Sequence, residues 1–244
     1  MSIKDIVNQL PEPMLKYIRM LLRINPFQNK YSMEMSFWKS RYTIDEGSFD
    51  NSQYRKIMLA MAGEKTEEFL SSKIVADFGC GPRGSLIWAK KASLRIGIDI
   101  LADRYAEMFY DNILNHNMIY LKSTEKVIPL PSNFVDVMYT LNALDHVDSF
   151  PIMCEEILRV VKPGGEIIAS FNIEEPISSC EPQRLNENII KTYLLDHCKI
   201  LSYRLSEPGP KHDLYLPLIN GSEYYKEGNR GFLWVRAQKK VDRH

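Results

Sequence analysis

The stretch Lys73–Gly84, KIVADFGCGPRG, limits the folds open to this chain more than any other. Ile74, Val75 and Ala76 form an apolar run of the length expected for a strand buried on both faces. Asp77 closes that strand, and a turn holding Gly79, Gly81 and Gly84 follows. Glycine permits positive φ and lacks a Cβ, so such a backbone bends sharply and lets a ligand approach closely. Ser85–Ala92 then reads as a helix whose free N–H groups point back into the turn. Strand, glycine turn and helix together predict a nucleotide cradle, although an ordinary tight turn between strand and helix shares the same spacing.

Downstream, the pattern alternates. Strands are predicted at 74–78, 95–98, 118–121, 135–140 and 166–171, with helices at 85–92, 104–114 and 150–160. This repetition implies a parallel sheet with right-handed crossovers. The tail reads as a helix at 183–197 and strands at 199–205 and 231–238. The loop 207–230 between those strands offers no obvious crossover helix, so the closing pair is expected to be antiparallel. The predicted fold is α/β, a Rossmann-like three-layer sandwich with a seven-stranded, mostly parallel sheet.

Residues 1–70 differ and are expected to form a cap on the domain spanning 71–244. Helical apolar spacing runs through 3–10 and 13–24, broken by Pro11 and Pro13. From Asn25 to Tyr54, aromatic residues including Trp38 and Tyr42 alternate with cations including Arg41. Such interleaving can bind single-stranded nucleic acid. Lysine plus arginine total 31 and aspartate plus glutamate also total 31, so no overall field draws the chain to polyanions. A lid over a small-molecule pocket is the preferred reading, with plain packing of cap on core as the alternative.

Cys80, Cys154, Cys180 and Cys198 are scattered, never in a CxxC pair, which predicts reduced thiols in a cytoplasmic protein. The first residues lack the apolar core of a signal peptide, and no apolar run reaches the ~20 residues of a membrane span.

Two carboxylates frame the chemistry. Asp99 ends the second predicted strand, about 20 residues beyond the glycine turn, where such folds hold a ribose through its hydroxyls. A helix N-cap is the structural alternative, and the co-occurring glycine turn favours the ribose. The spacing Gly79-x-Gly81-x-x-Gly84 also satisfies the dinucleotide fingerprint. Asp77 argues against that reading, because a carboxylate beside the loop repels a pyrophosphate and attracts an ammonium or sulfonium.

The segment from Asp77 to Gly84 resembles motif I of the class I S-adenosylmethionine-dependent methyltransferases. Asp99 matches that family's second acidic position. Ser123-Thr124-Glu125 with Ile128–Pro131 and Phe134–Val137, Asn142–Val147, and Lys162–Gly165 match three further segments in the family's order. The resemblance covers residues 73–171 and implies S-adenosylmethionine as cofactor. It places Gly79, Cys80 and Gly81 along the amino-acid part, with Asp77 helping to hold its ammonium. It sets Asp99 on the ribose, Thr124 and Glu125 against the adenine, and Asn142 near the reactive methyl. Similarity of the CGPRGSL loop to methyltransferases of surface-polysaccharide pathways makes a sugar or sugar-phosphate hydroxyl the first acceptor, with a phosphoryl oxygen or a nitrogen as alternatives.

A hydroxyl acceptor must lose a proton, and His146 is the best-placed base, with His212 a second candidate. Trp38, Arg41, Tyr42 and Arg83 are the candidate substrate contacts; the two arginines would meet an anion and the aromatic rings a sulfonium. Tyr215, Tyr224 and Tyr225 are further candidates for a pocket lining. No metal is assigned, because Asp145, Asp148 and Asn172 read as solvated or capping residues. The chain is expected to act on a small molecule as a monomer or homodimer, without nucleic acid or membrane partners.

Overall fold

The computed structural model describes residues 30–178, 181–210 and 213–241. The helices expected at 3–10 and 13–24, Cys180 and His212 lie outside these residues. The chain runs α1 (Lys30–Ile44), α2 (Ser52–Ala62), β1 (Ile74–Phe78), β2 (Leu94–Asp99), α3 (Ala102–Met108) and α4 (Tyr110–Asn115). There follow β3 (Ile119–Lys122), β4 (Val135–Leu141), α5 (Phe150–Val160), β5 (Val161–Ile173), α6 (Glu187–Tyr193), β6 (Cys198–Ser206), α7 (Leu216–Asn220) and β7 (Gly231–Lys239).

The seven strands form one sheet in the order β3-β2-β1-β4-β5-β7-β6. The pairs among β1 to β5 are parallel, and β7 runs antiparallel to both β5 and β6. The expected antiparallel closing pair is therefore present. Strand alternation sends successive apolar side chains to opposite faces. On β7, Leu233, Val235 and Ala237 join the core layer that includes Met153, Ile157 and Ile190 of α5 and α6. Phe232 and Trp234 join the layer formed with Ile57, Met58 and Met61 of α2 and Leu218 of α7. Both faces are thus covered, which is the setting a mostly parallel sheet requires.

Several predicted elements take another form. Ser85–Ala92 is a series of turns, not a helix. Its backbone bonds are i to i+3, from Ile87 N–H to Gly84, Ala89 to Leu86 and Ala92 to Ala89. The Ile87 carbonyl, which would continue a helical ladder, accepts from Arg95 Nη1 at 2.9 Å. The single helix expected at 104–114 is split at Phe109, which has φ −124° and ψ 37° and is buried. Its ring packs on Tyr42 and Phe49 of the N-terminal region at centroid distances of 4.9 and 5.0 Å. The tail helix is shorter than expected, followed by a 3₁₀ turn at Leu195–His197. The loop 207–230 carries the short helix α7.

At the N-terminal side, α1 buries only Met35, whereas α2 buries five side chains in the sheet's core. Arg236 of β7 secures the end of α2. It donates to Glu166 Oε2 (2.7 Å) and Glu64 Oε1 (2.9 Å), and to the Ala62 carbonyl. Among the described residues, no helix is long and apolar enough to cross a membrane.

Candidate active site

The carboxyl ends of β1, β2 and β4 open onto a cavity of about 600 Å³, lined on one side by α1. That volume falls within the roughly 300–1,000 Å³ typical of small-molecule sites. Asp77, Gly79, Cys80, Asp99, Thr124, Glu125, Asn142 and His146 all line it, as does Trp38 of α1. The fold therefore gathers most of the sequence-predicted candidates at one place, the usual ligand position beyond strand carboxyl ends.

Asp77 is the pivotal group. It is 2% exposed, and the Ser85 hydroxyl donates to its Oδ2. Its Oδ1 is buried with no hydrogen-bond partner. Burial is the main cause that pushes this carboxyl up to about 7, with the Asp99 charge adding to it and the Ser85 bond opposing. A carboxylate kept dry with an empty acceptor position fits a cationic ligand, whose ammonium would supply the missing donor and charge.

Gly79, at φ +72°, leaves no room for a side chain, since a Cβ there would lie 2.1 Å from the Ala143 Cβ. Gly81, at φ +57°, does not line the cavity directly; a Cβ on it would meet the Trp38 ring at 2.7 Å. Because Ser85–Ala92 is not a helix, no helix dipole points into this loop to favour a diphosphate. The missing Cβ at Gly79 admits Ala143, and the empty acceptor on Asp77 is the feature that fits S-adenosylmethionine.

Asp99 is not the N-cap of α3, a position held by Leu101 with no side-chain cap bond. Its Oδ2 accepts from Gly81 N–H (3.0 Å) and its Oδ1 from Leu101 N–H (2.9 Å), just before α3. It thereby locks the glycine loop while still lining the cavity. Burial raises this carboxyl to about 6, against the lowering effect of those two bonds. Cys80 is buried, and burial pushes its thiol well up, so it serves as wall and not as nucleophile.

At the far wall, Thr124 Oγ1 accepts from the N–H groups of Lys126 (3.2 Å) and Val127 (3.0 Å), shaping the loop that carries Glu125. Glu125 Oε1 accepts from the Tyr31 hydroxyl (2.6 Å) and lies 2.5 Å from Lys30 Nζ. Its Oε2 accepts from Asp148 N–H (2.9 Å). Burial alone would raise this carboxyl, but those bonds outweigh it and hold it below the usual range. Asn142 adopts φ +47°, and its Nδ2 donates to Asn172 Oδ1 (3.2 Å).

The remaining candidates divide. Trp38 lines the cavity and donates to Glu34 Oε1 at 2.7 Å. Arg41 lies over Phe37, and Tyr42 packs in the aromatic cluster with Phe49 and Phe109; neither lines the cavity. Arg83 is committed to Asp45 (2.8 Å) between the rings of Trp38 and Phe49, also outside the lining. Tyr215 lines the cavity, whereas Tyr224 is exposed and Tyr225 donates to the Asn229 carbonyl. Sequence reasoning missed Lys30, Tyr31, Glu34 and Tyr54 as lining residues. The aromatic and basic tract marked the region, but no spacing told which side chains turn inward.

A methyltransferase-domain family model matches residues 76–169. An uncharacterised methyltransferase of Mycobacteroides abscessus is 30% identical over 107 residues, 43% of this chain and 41% of that protein. A malonyl-[acyl-carrier protein] O-methyltransferase of Enterobacter lignolyticus is 30% identical over 92 residues, 37% of this chain and 36% of that protein. The chain thus matches well under half the length of these curated relatives. In fold, it is similar to an S-adenosylmethionine-dependent methyltransferase from Mesorhizobium loti. The TM-score is 0.54 at 15% identity, covering 74% of this chain and 96% of the other. Over residues 76–169 the chain matches the methyltransferase-domain family, and its strand order and fold are those of S-adenosylmethionine-dependent methyltransferases of known structure.

Proposed function

We propose that this protein transfers a methyl group from S-adenosylmethionine to an oxygen of a small-molecule acceptor. The observation that carries the reading is Asp77, a buried carboxylate with an unpartnered oxygen on the wall of a cavity of about 600 Å³. Asp77, Gly79 and Cys80 would hold the amino-acid end of the cofactor, with Gly81 shaping the loop through its bond to Asp99. Asp99 would take the ribose, Thr124 and Glu125 the adenine, and Asn142 the region of the methyl. Bound S-adenosylmethionine supplies an electrophilic sulfonium methyl, so the protein's task is to orient a nucleophile in line and exclude water.

Trp38, Glu34 and Tyr31 of α1 supply the roof that excludes water, and Tyr215 supplies a side wall. His146, on the same lining, is the residue assigned to the acceptor's proton. The acceptor is a hydroxyl of a sugar or sugar-phosphate, as in surface-polysaccharide synthesis. The placement of the cations supports a hydroxyl over a phosphoryl oxygen. Arg83 is neutralised by Asp45, Arg41 stays outside the cavity, and Lys30 is held by Glu125 and Asp148. The O-methyltransferase relative agrees with an oxygen acceptor.

The test is release of S-adenosylhomocysteine across a panel of hydroxylated small molecules, sugars and sugar phosphates included. Turnover is expected with at least one of them and is expected to fall 100-fold or more in His146→Ala, in line with a proton-transfer role. Unchanged turnover in that variant would remove His146 from the chemistry. Absence of turnover with every acceptor, despite cofactor binding, would favour a non-catalytic scaffold.

A further inference from the structure

Beside the cavity, where β4 and β5 end, lies a cluster of three side chains that the cofactor reading leaves unused. One carboxylate oxygen each from Asp145 and Glu181 and one imidazole nitrogen of His146 lie within 4.8 Å of one another. His146 Nε2 is 3.9 Å from Asp145 Oδ1 and 3.7 Å from Glu181 Oε1, too far for hydrogen bonds. Donors around one first-row divalent ion sit about 2.0–2.2 Å from it, so two donors lie at most about 4.4 Å apart. The separations of His146 from the two carboxylates suit an ion between the groups better than direct contact.

A second observation is independent of the cluster's shape. The Asp145 side chain is 4% exposed, and its Oδ1 has no hydrogen-bond partner among the described residues. A buried, unpartnered carboxylate oxygen is unfavourable unless a cation or donor meets it. Its other oxygen, Oδ2, accepts from Asn172 Nδ2 at 3.0 Å, and Asn172 Oδ1 accepts in turn from Asn142 Nδ2. That chain fixes the carboxylate's orientation, as outer-shell hydrogen bonds do for metal ligands. The Glu181 backbone is held in a turn, its N–H donating to the Ser178 hydroxyl (3.0 Å) and its carbonyl accepting from Ser178 N–H (2.9 Å). The nearby Glu175 lies 3.4 Å from Arg230, which leaves Asp145 and Glu181 as the carboxylates facing the imidazole.

We propose that Asp145, His146 and Glu181 form a divalent metal site at the edge of the cavity. One nitrogen and two oxygen donors favour Mn²⁺ or Zn²⁺ over Mg²⁺, which prefers an all-oxygen shell. Three protein donors leave coordination positions open to a water or another ligand. The consequence for chemistry rests on the methyl-transfer reading above. His146 lines the cavity, so a ligand in an open position can be the acceptor's hydroxyl, made more acidic by the cation. With the ion bound, His146 serves as its ligand, and this replaces the free-base role given to it above.

The sequence hides this site. Asp145 and His146 are adjacent, but Glu181 is 35 positions further on and is returned by the segment after β5.

The experiment is calorimetric titration of the full chain, stripped with a chelator, with Mn²⁺, Zn²⁺ and Mg²⁺ in the absence of any cofactor. The expected result is one saturable site for Mn²⁺ or Zn²⁺ and at least tenfold weaker binding of Mg²⁺. Asp145→Asn and Glu181→Gln should each weaken Mn²⁺ or Zn²⁺ at least tenfold. Glu181 is partly exposed, so its variant decides the matter should Asp145→Asn fail to fold. No saturable binding, or affinities unchanged in the variants, would overturn the proposal and reveal adventitious ions only. S-adenosylhomocysteine binding, measured separately without metal, tests the cofactor reading by itself, so either idea can fail alone.

Discussion

Asp77 couples pH to both stability and ligand binding, and the signs oppose each other. Its carboxyl sits at about 7 in the folded chain against 3.8 when unperturbed. Between those values the folded state holds a proton that the unfolded chain has released. Stability from this group is therefore full below pH 4 and is lost as pH rises through 7. Asp99, at about 6, acts in the same direction but has largely ionised by pH 7. A cationic ligand prefers the ionised carboxylate, so its affinity rises over the same interval. Thermal unfolding from pH 5.5 to 8 should show the free protein losing stability while the shift produced by S-adenosylmethionine grows. In Asp77→Asn both trends should flatten; trends equal to those of the wild type would contradict the assignment.

Gly79 makes a second claim at this scale. A side chain there needs the left-handed region, at about 1–2 kcal/mol, and also displaces Ala143. Gly79→Ala should destabilise the chain by at least that amount in urea titration and weaken S-adenosylhomocysteine at least tenfold. Wild-type values for both would mean that the turn tolerates a Cβ.

At the scale of elements, α1 lies along the cavity and buries one side chain, Met35. Trp38 and Tyr42 pack on Phe49 and Phe109, and polar contacts add to these, Lys30 and Tyr31 on Glu125 and, just beyond its end, Asp45 on Arg83. Tyr31→Phe removes one partly buried hydrogen bond, worth about 0.5–1.5 kcal/mol. Amide hydrogen exchange across residues 30–44 should accelerate several-fold in that variant, with exchange in β1 and β4 unchanged. Equal rates in α1 would show that it is held by other means.

Elements also mark what the sequence disclosed. A strand was expected at each of the seven positions, but β5 extends to Val161–Ile173 through the Lys162–Gly165 segment expected as a turn; α5 was readable to its exact ends. The turns at Ser85–Ala92 were not, since Leu86 and Ala89 have helical spacing whether or not Arg95 captures the Ile87 carbonyl. Nor was the break at Phe109, where burial against Tyr42 and Phe49 overrides local preference. In the site, Asp77, Asp99 and Asn142 were legible because each closes a predicted strand. Lys30, Tyr31 and Glu181 were not, because only the folded chain brings them alongside residues 35 to 116 positions away.

For the molecule as a whole, the sheet's strand order and two covered faces place a carboxylate-lined cavity beside α1, and on the proposed reading the sign of its charge selects the ligand. A diphosphate would meet Asp77, Asp99 and a loop without a helix dipole; a sulfonium with an ammonium would meet two acceptors. The most direct measurement is calorimetric titration of the full chain with S-adenosylmethionine and, in parallel, with NAD⁺. The account predicts one saturable site for S-adenosylmethionine, weakened at least tenfold by Asp77→Asn, and no heat from NAD⁺. Saturable NAD⁺ binding, or no binding of S-adenosylmethionine at millimolar concentration, would contradict it.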